Sequence, residues 1–127
     1  MPITDIAAAE IGIYSLSTDT KSPTPSVEFD LNSFRDPLGN SHLRKTCVDG
    51  KDPQVQEWIK VDPRFPVIVE QVIILAKDHF VGGGKWLSVG FRDHHGTWIS
   101  RAIACLVSQE LANLGYKVGV LHARGQD

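Results

Sequence analysis

Long apolar runs are missing from this 127-residue chain. Runs such as PVIV and VIILA are broken by Glu70, Gln71 and Lys77. They fall far short of the roughly 20 residues a bilayer-spanning helix needs. Cysteine is scarce as well. Cys47 and Cys105 are far apart and outside any CxxC or Cys/His spacing, which removes a disulfide framework and a metal site from the readings, and free thiols in a cytoplasmic setting are expected. The N-terminal MPITDIAAAEIG lacks a basic segment and carries Asp5 and Glu10, so it does not read as a secretory signal. An excess of charge of either sign is also absent. A net charge of −2 and a pI near 6.2 argue against a surface that grips nucleic acid everywhere, leaving room only for a local basic patch.

What is present suits one ordinary domain over residues 1–127. Apolar residues at 42% and charged residues at 22% allow a real core, and no internal repeat, low-complexity tract or interdomain linker divides the chain. IGIYSLS, Ile11 to Ser17, reads as a strand, followed by the Pro/Ser/Thr connector TDTKSPTPS. VEFDL, Val27 to Leu31, is a second strand that runs into the turn-rich NSFRDPLGN. Asp52-Pro53 supplies an N-cap and a proline at the first helical position, with Val55, Trp58 and Ile59 forming a short apolar face behind it. Asp62-Pro63 repeats the start signal. Phe65, Val69, Val72, Ile73, Ala76 and Phe80 then trace a helical stripe up to Gly82-Gly83-Gly84.

WLSVGF, Trp86 to Phe91, is the third strand. Ile99, Ile103, Leu106, Val107, Leu111 and Leu114 fall on one face of the next helix, which Gly115 is placed to end, and KVGVLH to His122 is the last strand. Strand, loop, amphipathic helix, tight turn and strand make a C-terminal βαβ unit with parallel strands and a right-handed crossover. The expected class is α/β, a mostly parallel sheet flanked by helices.

The turn inside that unit is unusually polar. VGFRDHHGTWISRAIA places Arg92, Asp93, His94, His95, Gly96, Thr97, Ser100 and Arg101 where a strand's carboxyl end meets a helix's first turn. Ligands of parallel sheets gather there, and the free N–H groups of a first turn favour negative charge. Gly96 would admit close backbone approach, Thr97 and Ser100 would offer hydroxyls, and the cations would complete an anion site, most naturally for phosphate. The plain alternative is a solvated loop with Thr97 as N-cap. Adjacent histidines seldom converge on one ion, so His94 and His95 do not argue for a metal.

In their order and spacing, the motifs of residues 27–124 resemble the C-terminal domain of the RNase adapter protein RapZ family. That family has FD-x-R-x-x-x-NP where this chain has FDLNSFRDP, keeping Phe29, Asp30 and Pro37, with Asp36 for asparagine and Asn32 for the arginine. A leucine–arginine pair and TG-x-D-x-x-V correspond to Leu43-Arg44 and to DGKDPQV, matching Gly50, Asp52 and Val55. The family loop GC-x-GG-x-HRS and the GY-x-V-x-V-x-H strand correspond to Gly90, Ser100, Ile103-Ala104 and GYKVGVLH, ending at His122. Departures concentrate in the loop. Phe91 stands for its cysteine, Trp98 and Ile99 for its His-Arg, and the loop is longer by about two residues, with Arg92, His94, His95 and Arg101 as substitute cations. The family's N-terminal P-loop NTPase domain has no counterpart, since no GxxxxGK[ST] occurs.

The resemblance implies a domain that binds an amino-sugar phosphate, recognises small regulatory RNA and self-associates as a homo-oligomer; no cofactor is expected, and the short apolar runs predict no membrane association. The expected cleft would hold a phosphosugar or nucleotide between the 90–101 loop, Arg44 and His122. RNA contact would draw on Arg44, Lys45, Lys117, Arg124 and the loop cations through phosphate rather than base edges. Two alternatives stay open: a phosphohydrolase or phosphotransferase using His94 or His95 beside Asp93, and an RNA-binding adaptor acting as an oligomer. Catalysis through a loop thiolate is closed, because Phe91 occupies that position.

Overall fold

The computed structural model describes residues 8–18, 25–31, 49–93 and 98–122. Four parallel strands form one sheet in the order β2-β3-β1-β4: β1 Ile11–Ser17, β2 Val27–Asp30, β3 Leu87–Asp93 and β4 Val118–His122. Among the described residues three helices join them: α1 Pro53–Lys60, α2 Arg64–Val81 and α3 Ile99–Asn113. The fold is α/β, as expected, with β1 inserted between the two strands of the C-terminal βαβ unit. Among the described residues no helix is long and apolar enough to cross a membrane.

Local chemistry accounts for the boundaries. The Asp52 carboxylate accepts the Gln54 amide at 2.9 Å, and Pro53 opens α1 without losing a needed N–H. Gly115 ends α3 at φ 101°, a conformation open to glycine. α3 lies across β1, β3 and β4, and α1 and α2 both pack against it, α2 also touching β3. Contact with the sheet and with two helices explains why Ala102, Ala104, Ser108 and Ala112 are small as well as buried. Leu114, assigned from sequence to the apolar stripe, caps the helix end and is 53% exposed.

The register arranges the α3 side of the sheet in rows. Leu87, Ile11 and Val118 form one row, and Val89, Ile13 and Val120 the next. Towards the carboxyl ends the sequence changes character, and the following row reads Phe29, Phe91, Ser15 and His122. Beyond it, Ser17 pairs with Asp93. The core therefore gives way to polar groups at one corner of the sheet.

Candidate functional site

Strand β3 runs two residues past the predicted end at Phe91, and this decides where Arg92 and Asp93 point. Side chains alternate along a strand. Asp93 turns inward, is buried, and accepts the Ile99 amide at 2.9 Å, the Ser100 amide at 3.1 Å and the Ser100 hydroxyl at 3.2 Å. The helix's positive end is thus met by the chain's own carboxylate, and the Ser100 hydroxyl is committed to it. An external anion cannot take those two amides without displacing Asp93. Arg92 turns to the opposite face. Its guanidinium makes a bidentate pair with Glu28, Nε to Oε2 and Nη2 to Oε1 at 2.9 Å each, and also donates to the Ser17 carbonyl. Arg92 therefore ties three strands together on the face away from α3. His94, His95, Gly96, Thr97 and Arg44 lie outside the described residues, as do Lys45 and Arg124.

Two other predicted residues, His122 and Arg101, lie near enough for their charges to interact. His122 Nδ1 is 2.7 Å from Ser15 Oγ, its register partner, and Nε2 is 3.7 Å from Cys105 Sγ on α3. Arg101, one turn before Cys105, donates from Nη1 to Asp49 Oδ2 at 2.9 Å. Asp49 is held by a turn in which its Oδ1 accepts the Lys51 amide at 2.8 Å. Gly50 lies directly on the first turn of α3. A Cβ there would sit 2.0 Å from the Trp98 carbonyl oxygen and 2.5 Å from the Ala102 nitrogen, so only glycine permits this approach. The DGKDPQV segment and the start of α3 are thereby locked together, with Asp49, Lys51, Arg101 and His122 close enough for their charges to interact.

Electrostatics define what the corner can do. Burial, then the positive charges of Arg101 and Lys51, push the His122 pKa down to about 4, with Asp49 opposing. Burial pushes the Cys105 thiol up. The pair is thus neutral thiol and neutral imidazole at pH 7, the reverse of the thiolate–imidazolium arrangement that makes a cysteine nucleophilic. Arg101 Nε is buried with no hydrogen-bond partner among the described residues. A buried donor left unmet costs about 1–3 kcal/mol. An arriving anion would satisfy it.

A pH dependence follows. An unfolded histidine titrates near about 6.5, so as pH falls the unfolded chain takes up the proton before the folded one. This contribution to stability is complete above about 6.5, declines as pH falls towards 4 and then levels off. The ring is only part-buried, which discounts the effect to about 1–2 kcal/mol. Urea midpoints measured from pH 7.5 to 4.5 should therefore fall less steeply for His122→Gln than for the parent chain.

Ser15, Asp49, Lys51 and Cys105 were not selected from the sequence. Ser15 carried a signal, since the inward positions of β1 change from Ile11 and Ile13 to serine. The others become neighbours only through tertiary packing.

The fold and this corner define a parallel α/β domain with charged groups gathered at the carboxyl end of its sheet. No protein-family model matches the chain. Over 98 residues, covering 74% of this chain and 32% of the relatives, it is 33% identical to a protein of Cereibacter sphaeroides and 30% identical to one of Dinoroseobacter shibae. Both are named nucleotide-binding proteins. The chain spans about a third of the length of these curated relatives.

Proposed function

We propose that this chain is a RapZ C-terminal-like binding module that takes a phosphorylated metabolite at the corner formed by Arg101, Lys51 and His122, together with the 94–97 loop and Arg44. The observation that carries the reading is the buried Nε of Arg101, without a partner among the described residues, beside a neutral histidine and a second cation. The names of the relatives favour a nucleotide over a phosphosugar. The neutral Cys105–His122 pair favours binding over turnover. Contact with RNA phosphates and self-association belong to the same proposal on the strength of the resemblance; a steep dependence of RNA affinity on salt would support the former.

Thermal melts test the ligand reading. At a hundred times its Kd a ligand adds about 2.7 kcal/mol, which in a domain of this size raises Tm on the order of 10 °C. Inorganic phosphate, nucleoside phosphates and a phosphosugar are the probes. Each Arg101→Gln or Lys51→Ala melt is referred to its own unliganded Tm, and both should lose most of the shift. If no probe moves the parent chain, the reading falls.

A further inference from the structure

The outward face of α2 carries a pattern that the core does not explain. Val67, Ile74 and Val81 recur at intervals of seven and are 53%, 50% and 89% exposed. At 3.6 residues per turn they lie within roughly 20° of one line. The charged and polar residues beside that line are not mixed at random. Glu70 and Lys77 fall on one flank, Gln71 and Asp78 on the other, and among the described residues Glu70 and Lys77 make no ion pair. Apolar grooves border the ridge on both sides, about 480 Å³ along Phe65, Val69 and Ile73 and about 410 Å³ along Val27, Phe29 and Leu75, both reaching Ile74.

We propose that α2 is the contact surface for a second copy of this chain, packed antiparallel about a two-fold axis at Ile74. Such an axis preserves each flank and reverses the helix direction. Ile74 then meets Ile74 of the second copy, and Val67 meets its Val81. Glu70 faces Lys77 twice, and the Gln71 amide faces the Asp78 carboxylate twice. The pattern is self-complementary because the opposite charges on one flank stand almost equally far from Ile74, on either side of it. A parallel pairing would set Lys77 against Asp78 and Glu70 against Gln71, and would align the two helix dipoles unfavourably. The grooves would receive side chains of the facing helix, as ridges do when helices pack. This surface shares no residue with the Arg101 corner. It goes beyond the ligand reading and names the face on which self-association takes place.

Sedimentation across a concentration series is the test. The expected parent species is twice the 14.0 kDa chain. Ile74→Lys should give a monomer with unchanged circular dichroism, because Ile74 is half exposed. Glu70→Lys and Lys77→Glu should each weaken the dimer about tenfold or more by opposing like charges. The double variant Glu70→Lys/Lys77→Glu should recover it, whereas in a parallel pair it would set the introduced carboxylate against Asp78. A parent chain that stays monomeric, a dimer indifferent to Ile74→Lys, or a double variant no better than its parents each overturns the proposal. The phosphate-induced shift of Ile74→Lys should match the parent's, which keeps the assembly result separate from the ligand reading.

Discussion

Replacing Asp93 by alanine should cost about 3–4 kcal/mol, a large part of the 5–15 kcal/mol typical of a domain. Asp93 is 4% exposed, and its carboxylate accepts two first-turn amides and the Ser100 hydroxyl. Hydrogen bonds to a charged group contribute about 1.5–3 kcal/mol each, and donors stranded in a buried setting add their own desolvation cost. These terms share one side chain and are not additive, which holds the expectation below their sum. An asparagine would keep an acceptor but lose the charge that faces the helix dipole, so Asp93→Asn should cost about 1–2 kcal/mol. Denaturant unfolding checks both. A loss under about 1 kcal/mol for alanine would mean that the carboxylate does not secure the start of α3. The same variants separate a cap from a ligand-binding group. If Asp93 only caps, removing its charge makes the corner more positive, and phosphate affinity in Asp93→Asn should rise rather than fall.

The elements were legible because each carries its own local signal. Alternating Ile11 and Ile13, Asp52-Pro53 before α1, and Gly115 after α3 act over a few residues and need no knowledge of the rest of the chain. The corner was legible as a location, since a parallel sheet sends its ligands to the carboxyl ends of its strands. The detail was not. A strand ending at Phe91 leaves Arg92 and Asp93 in one polar cluster, whereas the alternation of the longer strand sends them to opposite faces. Continuing the pattern Val89, Phe91, Asp93 would have separated them. Ser15 and His122 are 107 residues apart and meet only through the β1–β4 register. Gly50 was picked out by resemblance alone, and its physical reason lies in the backbone of α3, about fifty residues further on. Local order could be read from the one-dimensional pattern, whereas partnership required the packed sheet.

Phe91→Cys is expected to cost about 3 kcal/mol, and it probes the departure that most distinguishes this corner from the pattern it resembles. Phe91 is fully buried and stacks on Phe29 with ring centroids 5.5 Å apart. It occupies the row that continues through Ser15 to His122. Substituting a small side chain for a buried aromatic removes transfer energy and leaves a cavity, a loss of about 3–5 kcal/mol for truncation to alanine, with cysteine restoring a part. Phe91→Leu should cost about 1–2 kcal/mol because most of the volume stays filled. Urea unfolding measures both, and a cost below about 1 kcal/mol for Phe91→Cys would mean that the ring does not fill the space between β2 and β1. The consequence reaches the ligand. An aromatic ring at this place cannot donate a hydrogen bond or carry charge, so it forms an apolar wall on one side of Ser15. An anion bound at this corner, as proposed, would therefore rely on the cations on the other side, Arg101 and Lys51. Phe91→Cys should therefore lower stability without creating a nucleophile, since burial in the space left by the ring raises a thiol's pKa.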